Sequence, residues 1–163
     1  MPVERQDYRN AMARLAAAVN VITTDGPAGR GGFTASAMCS VTDSPPMLLV
    51  CMNRTVSSCA AFRANGVLCV NVLCASQQEV SAVFAGTTGV EGPARFATGR
   101  WGRLVTGAPA LEGAMVNFDA RITDVVEKGT HLVFFCEIEA IRLGETAGPA
   151  LLYFARNYRE LAA

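Results

Sequence analysis

The sequence predicts a mainly β domain, an antiparallel barrel of six to seven strands with peripheral helices. Three observations carry this. The 163 residues amount to one domain at about 150 residues per domain. Short apolar, β-branched runs recur between turn clusters rich in Gly, Pro and Asp. Successive strands join through tight turns instead of alternating with crossover helices, which disfavours a doubly wound parallel sheet. No repeat, low-complexity segment or linker interrupts the chain, so residues 1–163 read as one domain.

The elements follow in order. Tyr8, Met12, Leu15 and Val19 recur at helical spacing through the alanine-rich run Ala11–Ala18, predicting an amphipathic first helix. Asn20–Thr24 is β-branched and enters the turn cluster Asp25–Gly29; a second strand over Gly32–Val41 completes a hairpin. Pro45-Pro46 breaks the chain before a buried strand at Met47–Met52. Ser57–Asn65 reads as a short helix closed by Gly66. Val67–Leu73 is another buried strand, and Gln77–Ala85 a helix with Val80, Val83 and Phe84 as its apolar stripe.

Gly86–Pro109, rich in glycine and holding the single Trp101, reads as an irregular loop long enough to suggest a function. Two long strands follow, Ala114–Val126 and Thr130–Leu143, across a tight Glu127-Lys128-Gly129 turn. In the first of them Val116, Phe118 and Ala120 alternate with Asn117, Asp119 and Arg121, predicting one buried face. A last strand, Ala150–Phe154, precedes a short basic-aromatic tail.

Composition excludes several classes. Fourteen Lys+Arg balance fourteen Asp+Glu, which argues against nucleic acid as main partner, since phosphate binding needs a basic excess. Hydrophobic residues make up 51% and charged ones 17%, enough for a sizeable core and sparse enough in charge to suggest a surface covered in an oligomer. Apolar runs such as Met47–Met52 reach six residues, against about 20 for a membrane span. Glu4, Arg5, Asp7 and Arg9 make the first ten residues unlike a secretory signal. Six cysteines form no C-x-x-C pair and there is one histidine, so no zinc site is expected. Free thiols among Val, Leu and Met point to a reducing, cytoplasmic setting.

The usual catalytic sets are missing. Gly26, Gly29, Gly31 and Gly32 lie in a hairpin turn, not in a G-x-G-x-x-G loop opening a helix. Any Ser-His-Asp or Cys-His arrangement would need His131, which by itself reads as a structural residue opening a strand. Two polar segments stand out. Gly32–Thr42 alternates small hydroxyl and small apolar residues; it is either a half-exposed strand or a shelf for a planar ligand. Asn53-Arg54-Thr55-Val56-Ser57-Ser58 runs into a helix and is either an ordinary cap or an anion site.

These segments carry a resemblance. Ala18–Gly26, Gly32–Ala37, Cys39–Pro46 and Leu49–Arg54 resemble the short flavin reductases of two-component flavin monooxygenases. So do Leu68–Leu73, Phe84-Ala85-Gly86, Gly129-Thr130-His131 and Leu152–Tyr158, in order along nearly the whole chain. The reductase partners of 4-hydroxyphenylacetate and pyrimidine-ring monooxygenases are the nearest in kind. The resemblance implies an FMN-binding split barrel that works as a homodimer. It implies NADH or NADPH as hydride donor, FMN or FAD as acceptor, and a separate monooxygenase that receives the reduced flavin. Carried over by motif, Thr34, Ala35, Ser36, Ser40 and Val41 would line the isoalloxazine and ribityl chain. Asn53, Arg54, Ser57 and Ser58 would hold the phosphate end, and Phe84, Ala85 and Gly86 would close over the flavin. His131, Arg156 and Tyr158 would face the nicotinamide nucleotide, His131 being the one candidate catalytic residue. The sequence departs from the family pattern at Ala94, where an acidic residue precedes Arg-Phe in relatives. A non-catalytic flavin carrier on the same barrel is the competing reading. An oxidase of the pyridoxine-phosphate type is disfavoured, because the Arg and Lys needed to hold two phosphates are missing.

Overall fold

The computed structural model describes residues 2–145 and 148–162. Helix α1 spans Arg5–Met12, and strands β1 (Ala17–Ala18), β2 (Asn20–Thr24), β3 (Gly31–Ala35), β4 (Met38–Asp43) and β5 (Pro46–Asn53) follow. Helix α2 (Cys59–Asn65), strand β6 (Val67–Val72) and helix α3 (Gln78–Phe84) come next. The remaining strands are β7 (Trp101–Arg103), β8 (Pro109–Leu111), β9 (Val116–Lys128), β10 (His131–Leu143), β11 (Ala150–Phe154) and β12 (Asn157–Leu161). No described helix is long and apolar enough to cross a membrane.

The main sheet has seven strands in the order β3-β2-β6-β9-β10-β5-β4, each pair antiparallel. Its two edges, β3 and β4, are consecutive in sequence and separated only by Ser36-Ala37. That link spans at most about 11 Å. In a flat sheet, six inter-strand steps would put the edges about 29 Å apart. The sheet therefore curls into a barrel. No ladder joins β3 to β4 among the described residues, so the barrel stays split along that seam.

Residues of alternate parity fill the interior: Leu48, Val50 and Met52 of β5 face Leu132, Phe134 and Cys136 of β10. Phe62 of α2 plugs one end, with Phe33 edge-on at 5.5 Å and Phe134 stacked at 6.3 Å. Gly66 ends α2 at φ 67°, its N–H returning to the Phe62 carbonyl, as a left-handed cap requires. Val80, Val83 and Phe84 of α3 join a second cluster with Val19, Leu73 and Leu151.

Four sequence expectations are corrected. The first helix stops at Met12 with none of its residues buried; Ala17 and Ala18 instead pair with Tyr153 and Leu152. A ladder supplied from across the chain overrides alanine's helix propensity. The single strand expected over Gly32–Val41 is two strands, because the chain must step across the seam at Ser36-Ala37. The tail after Phe154 is strand β12, completing a three-stranded sheet ordered β1-β11-β12. On β9 the alternation is not simply apolar-in: Asn117 and Asp119 are buried, while Val116 and Phe118 are half-buried.

The last correction has a clear cause. The outer face of β9 lies under residues 104–111, whose backbone groups need partners. Asn71 Oδ1 accepts from the Leu111 amide and from Asn117 Nδ2, both at 2.7 Å, while Asn71 Nδ2 donates to the Val21 carbonyl at 2.9 Å. Arg142 Nε donates to Asn117 Oδ1 at 2.8 Å and Asp119 accepts from the Thr106 amide at 2.7 Å. Asn71→Leu leaves several buried polar groups unpaired at about 1–3 kcal/mol each. We expect a loss of about 3 kcal/mol in urea unfolding, several times that of a surface substitution.

Candidate active site: a groove along the barrel seam

Three cavities of about 350, 480 and 930 Å3 run along the seam. The first two share Thr34 and Ala85; the second and third share Ser36, Tyr153 and Arg156. Sharing walls, they follow one another as one groove along the seam, and each is of a size proper to small-molecule sites. The small side chains of β3 form its floor because the barrel does not close there.

The upstream end lies between Thr55, Val56 and Ser57 on one side and Phe84, Ala85 and Arg95 on the other. Arg95 is held by carbonyl oxygens: Nε donates to Val90 at 3.0 Å, Nη1 to Gly32 at 3.4 Å and to Phe84 at 3.5 Å. It forms no carboxylate ion pair among the described residues. Its position is set by the 3-10 turn Gly92–Ala97, which inserts Phe96 against Phe84 at 5.0 Å and Trp101 at 5.1 Å. The long loop is thus packed on the core and delivers a cation to the groove. Nearby, Ser58 Oγ is buried without a hydrogen-bond partner.

In the middle, Thr34 Oγ1 donates to the Ser81 carbonyl at 2.7 Å, and Ser81 Oγ meets the Tyr158 hydroxyl at 2.8 Å. These bonds tie β3, α3 and β12 together. Tyr158 packs edge-on to Tyr153 at 5.6 Å, giving an aromatic wall opposite Ala35 and Ser36.

The downstream end carries Arg156. The β11–β12 turn places Ala155 and Arg156 at φ 50° and 60°, a left-handed pair that glycine and asparagine adopt more readily. The strain is held by the Ala155 amide bonding the Ala13 carbonyl at 2.8 Å and by Arg156 Nη2 donating to Asn10 Oδ1 at 2.6 Å. The groove-lining residues include Arg9, Arg95 and Arg156 and not one Asp or Glu. A chain of zero net charge therefore concentrates uncompensated positive charge along this groove, a field that draws anions.

The structure brings together Thr34, Ala35, Ser36, Ser57, Phe84, Ala85, Arg156 and Tyr158. The other expected residues do not line these cavities. Ser40 and Val41 are exposed on β4, at a bulge in its ladder with β5. Asn53 Oδ1 accepts from its own Thr55 at 3.0 Å, and Arg54 faces Glu127 at 3.6 Å. His131 is exposed opposite Asn53, its Nδ1 at 2.8 Å from Thr130 Oγ1. Gly86 turns at φ 79°, with the far end of Arg95 beside it. Arg95, Ser81, Tyr153 and Arg9 were not foreseen as groove residues. The Arg95-Phe96 pair in a glycine-rich loop and the Leu152–Tyr158 block, which holds Tyr153, were the signals that touched them.

No cysteine lines the groove. Burial pushes the Cys136 thiol up to about 12. Cys69 is raised still further by burial, with a smaller push from Asp119. Neither is a nucleophile near neutral pH.

Among known proteins, the flavin reductase like domain matches residues 12–162. The chain is 60% identical over 159 residues to FMN reductase (NADH) RutF of Variovorax paradoxus strain S110, covering 98% of this chain and 87% of that protein. A Haemophilus somnus 129PT protein of solved structure superposes with a TM-score of 0.92 at 43% identity, covering 98% of this chain and 100% of the other. BorF, the flavin reductase component of a bacterial two-component tryptophan halogenase, superposes with a TM-score of 0.89 at 27% identity, covering 98% and 99%. A family match over residues 12–162, with close superposition on flavin reductase structures, settles the family: the chain belongs to the flavin reductase like domain family.

Proposed function

We propose that the seam groove binds FMN and NADH, and that this protein is an NADH-dependent FMN reductase whose reduced flavin passes to a separate monooxygenase. The carrying observation is the seam groove lined by three arginines and no carboxylate. The name of the Variovorax relative, FMN reductase (NADH), supports the choice of flavin and donor. BorF's place as one half of a two-component system supports a separate oxygenase. Six cysteines, all free, suit work in the reducing cytoplasm.

The residues fit a flavin nucleotide. Arg95 lines the upstream end together with Thr55 and Ser57, a cation with hydroxyls that suits a phosphate dianion. Arg54, ion-paired to Glu127, yields that role to Arg95. Thr34, Ala35 and Ser36 leave flat space for the ring system, walled by Ala85 and Tyr158. Bound flavin supplies the hydride-accepting chemistry. The protein's part is to orient both nucleotides along one groove and to keep water from the contact. No side chain need carry a proton in that step, which accounts for a groove without a paired acid and base.

Measuring NADH oxidation with added FMN tests the reading. Turnover supports it, whereas FMN binding without turnover favours the carrier. Arg95→Gln raises the Kd for FMN by about tenfold, the loss of one charge-assisted hydrogen bond. Arg54→Gln changes it less than about twofold, as expected of an exposed pair. Ser36→Leu fills the floor of the groove and weakens FMN binding while the melting temperature holds. A larger effect of Arg54→Gln than of Arg95→Gln, read by flavin fluorescence, returns the phosphate to Arg54.

A second copy completes the molecule in this reading. Met47, Leu49 and Cys51 of β5 and Val133 and Phe135 of β10 stand on the outer face, in register as Leu49 opposite Phe135 and Cys51 opposite Val133. They are half-buried and lie outside the barrel core, a patch suited to a two-fold contact. Light scattering at micromolar concentration then reads a dimer for the native chain and a monomer for Leu49→Asp. A native monomer with full reductase turnover overturns the assignment.

A further inference from the structure

Outside the groove, one carboxylate gathers two cations from distant segments. Asp25 opens the β2–β3 turn, and that turn is fixed on helix α2: Asn65 Oδ1 accepts from the Ala28 amide at 3.0 Å, and Asn65 Nδ2 donates to the Gly29 carbonyl at 2.9 Å. Asp25 Oδ2 accepts from Arg30 Nε and Nη2, both at 3.0 Å, and from Arg103 Nη2 at 2.8 Å. The Asp25 side chain is only 15% exposed. A largely buried carboxylate shared by two guanidinium groups fixes their geometry better than a lone surface pair does.

Both partners lead to the segment that carries Arg95. Arg103 ends β7, two residues after Trp101. Arg30 lies over the Phe96 ring, its Cζ 5.2 Å from the centroid, within the range of a cation–π contact. Phe96 in turn is wedged against Phe84 at 5.0 Å and Trp101 at 5.1 Å. Two residues after Arg30, the Gly32 carbonyl accepts from Arg95 Nη1 at 3.4 Å. The entry to β3 therefore grips two consecutive residues of the 3-10 turn, Arg95 by a carbonyl and Phe96 by a guanidinium. The grip depends on glycine at 32, where a Cβ would stand 2.7 Å from the Phe84 ring. Neither Asp25, Arg30 nor Arg103 lines the groove, so any effect they have on a ligand there passes through the residues they hold.

We propose that Asp25 and Arg30 are positioning residues: through Phe96 they hold the Arg95 guanidinium at the upstream end of the groove, and the affinity for a phosphate group there depends on an ion pair outside it. The proposal rests on the reading of that end as the flavin phosphate site.

Riboflavin is FMN without its phosphate, so the ratio of the two dissociation constants, titrated by flavin fluorescence, isolates the phosphate contact. In the native protein riboflavin binds more weakly than FMN by about tenfold or more, and Arg95→Gln lowers that ratio by about tenfold. In Asp25→Asn and in Arg30→Gln the Kd for FMN rises about two- to fivefold, the worth of one partly exposed cation–π contact, while the Kd for riboflavin holds. Either substitution added to Arg95→Gln changes the FMN Kd by less than about twofold, because the path has lost its end. Equal losses of riboflavin and FMN affinity describe a general loosening and overturn the proposal. So does full additivity with Arg95→Gln, or an unchanged FMN Kd in both variants where Arg95→Gln does lower the ratio. Trp101, the single tryptophan, reads the seat of Phe96 in the flavin-free protein. Acrylamide quenches its fluorescence more steeply in Asp25→Asn and Arg30→Gln than in the native chain, and unchanged quenching overturns the proposal. A riboflavin-to-FMN ratio that Arg95→Gln leaves unmoved sinks the phosphate reading alone, and steeper Trp101 quenching then still supports the hold on the Arg95 segment.

Discussion

The two-residue link Ser36-Ala37 is the constraint on which the rest of the structure depends. It joins the two edges of a seven-stranded sheet, so the sheet has to curl until those edges almost meet. No ladder joins those edges among the described residues. A core of Leu, Val, Met and Phe side chains fills the curl, and an open seam remains on one side. The groove is that seam.

The chain treats its polar residues differently in two places. Behind β9, Asn71, Asn117, Asp119 and Arg142 are buried and bonded to one another or to the backbone of residues 104–111. There the polar groups rigidify, because in a medium of low dielectric each unmet partner is costly. Along the seam, Arg9, Arg95 and Arg156 line open space without carboxylates. Away from the seam some carboxylates are ion-paired, as Asp25 is with Arg30 and Arg103 at 3.0 and 2.8 Å. Zero net charge thus conceals a polarised surface, with its cations where an elongated anionic ligand would lie.

Positioning those cations requires distant parts of the chain. Arg95 depends on Phe96 seated among Phe84 and Trp101. Arg156 depends on a left-handed turn held by α1, more than 140 residues upstream in sequence. Such a turn, formed without glycine, costs about 1–3 kcal/mol per strained residue, and the bonds to Asn10 and Ala13 offset it. Both ends of the groove are therefore tertiary constructions laid on a simple hairpin barrel.

The sequence by itself determined the antiparallel β class, the hairpins at Asp25–Gly29 and Glu127–Gly129, helices α2 and α3, and the polar character of Thr34–Ser36. Those features rest on local signals: β-branched runs, turn residues, helical apolar stripes and a glycine cap. Motif resemblance added the family. Only the tertiary structure decided that Gly32–Val41 is two strands, that Ala17-Ala18 is a strand, and that Asn117 and Asp119 are interior. It alone decided that Arg95 and not Arg54 reaches the groove. In each case the deciding partner lies far away in sequence: β11 for Ala17-Ala18, the 104–111 segment for β9, Glu127 for Arg54. Local spacing tells which face of a strand or helix a residue occupies, but the burial and charge of that face are set by whatever the folded chain lays against it.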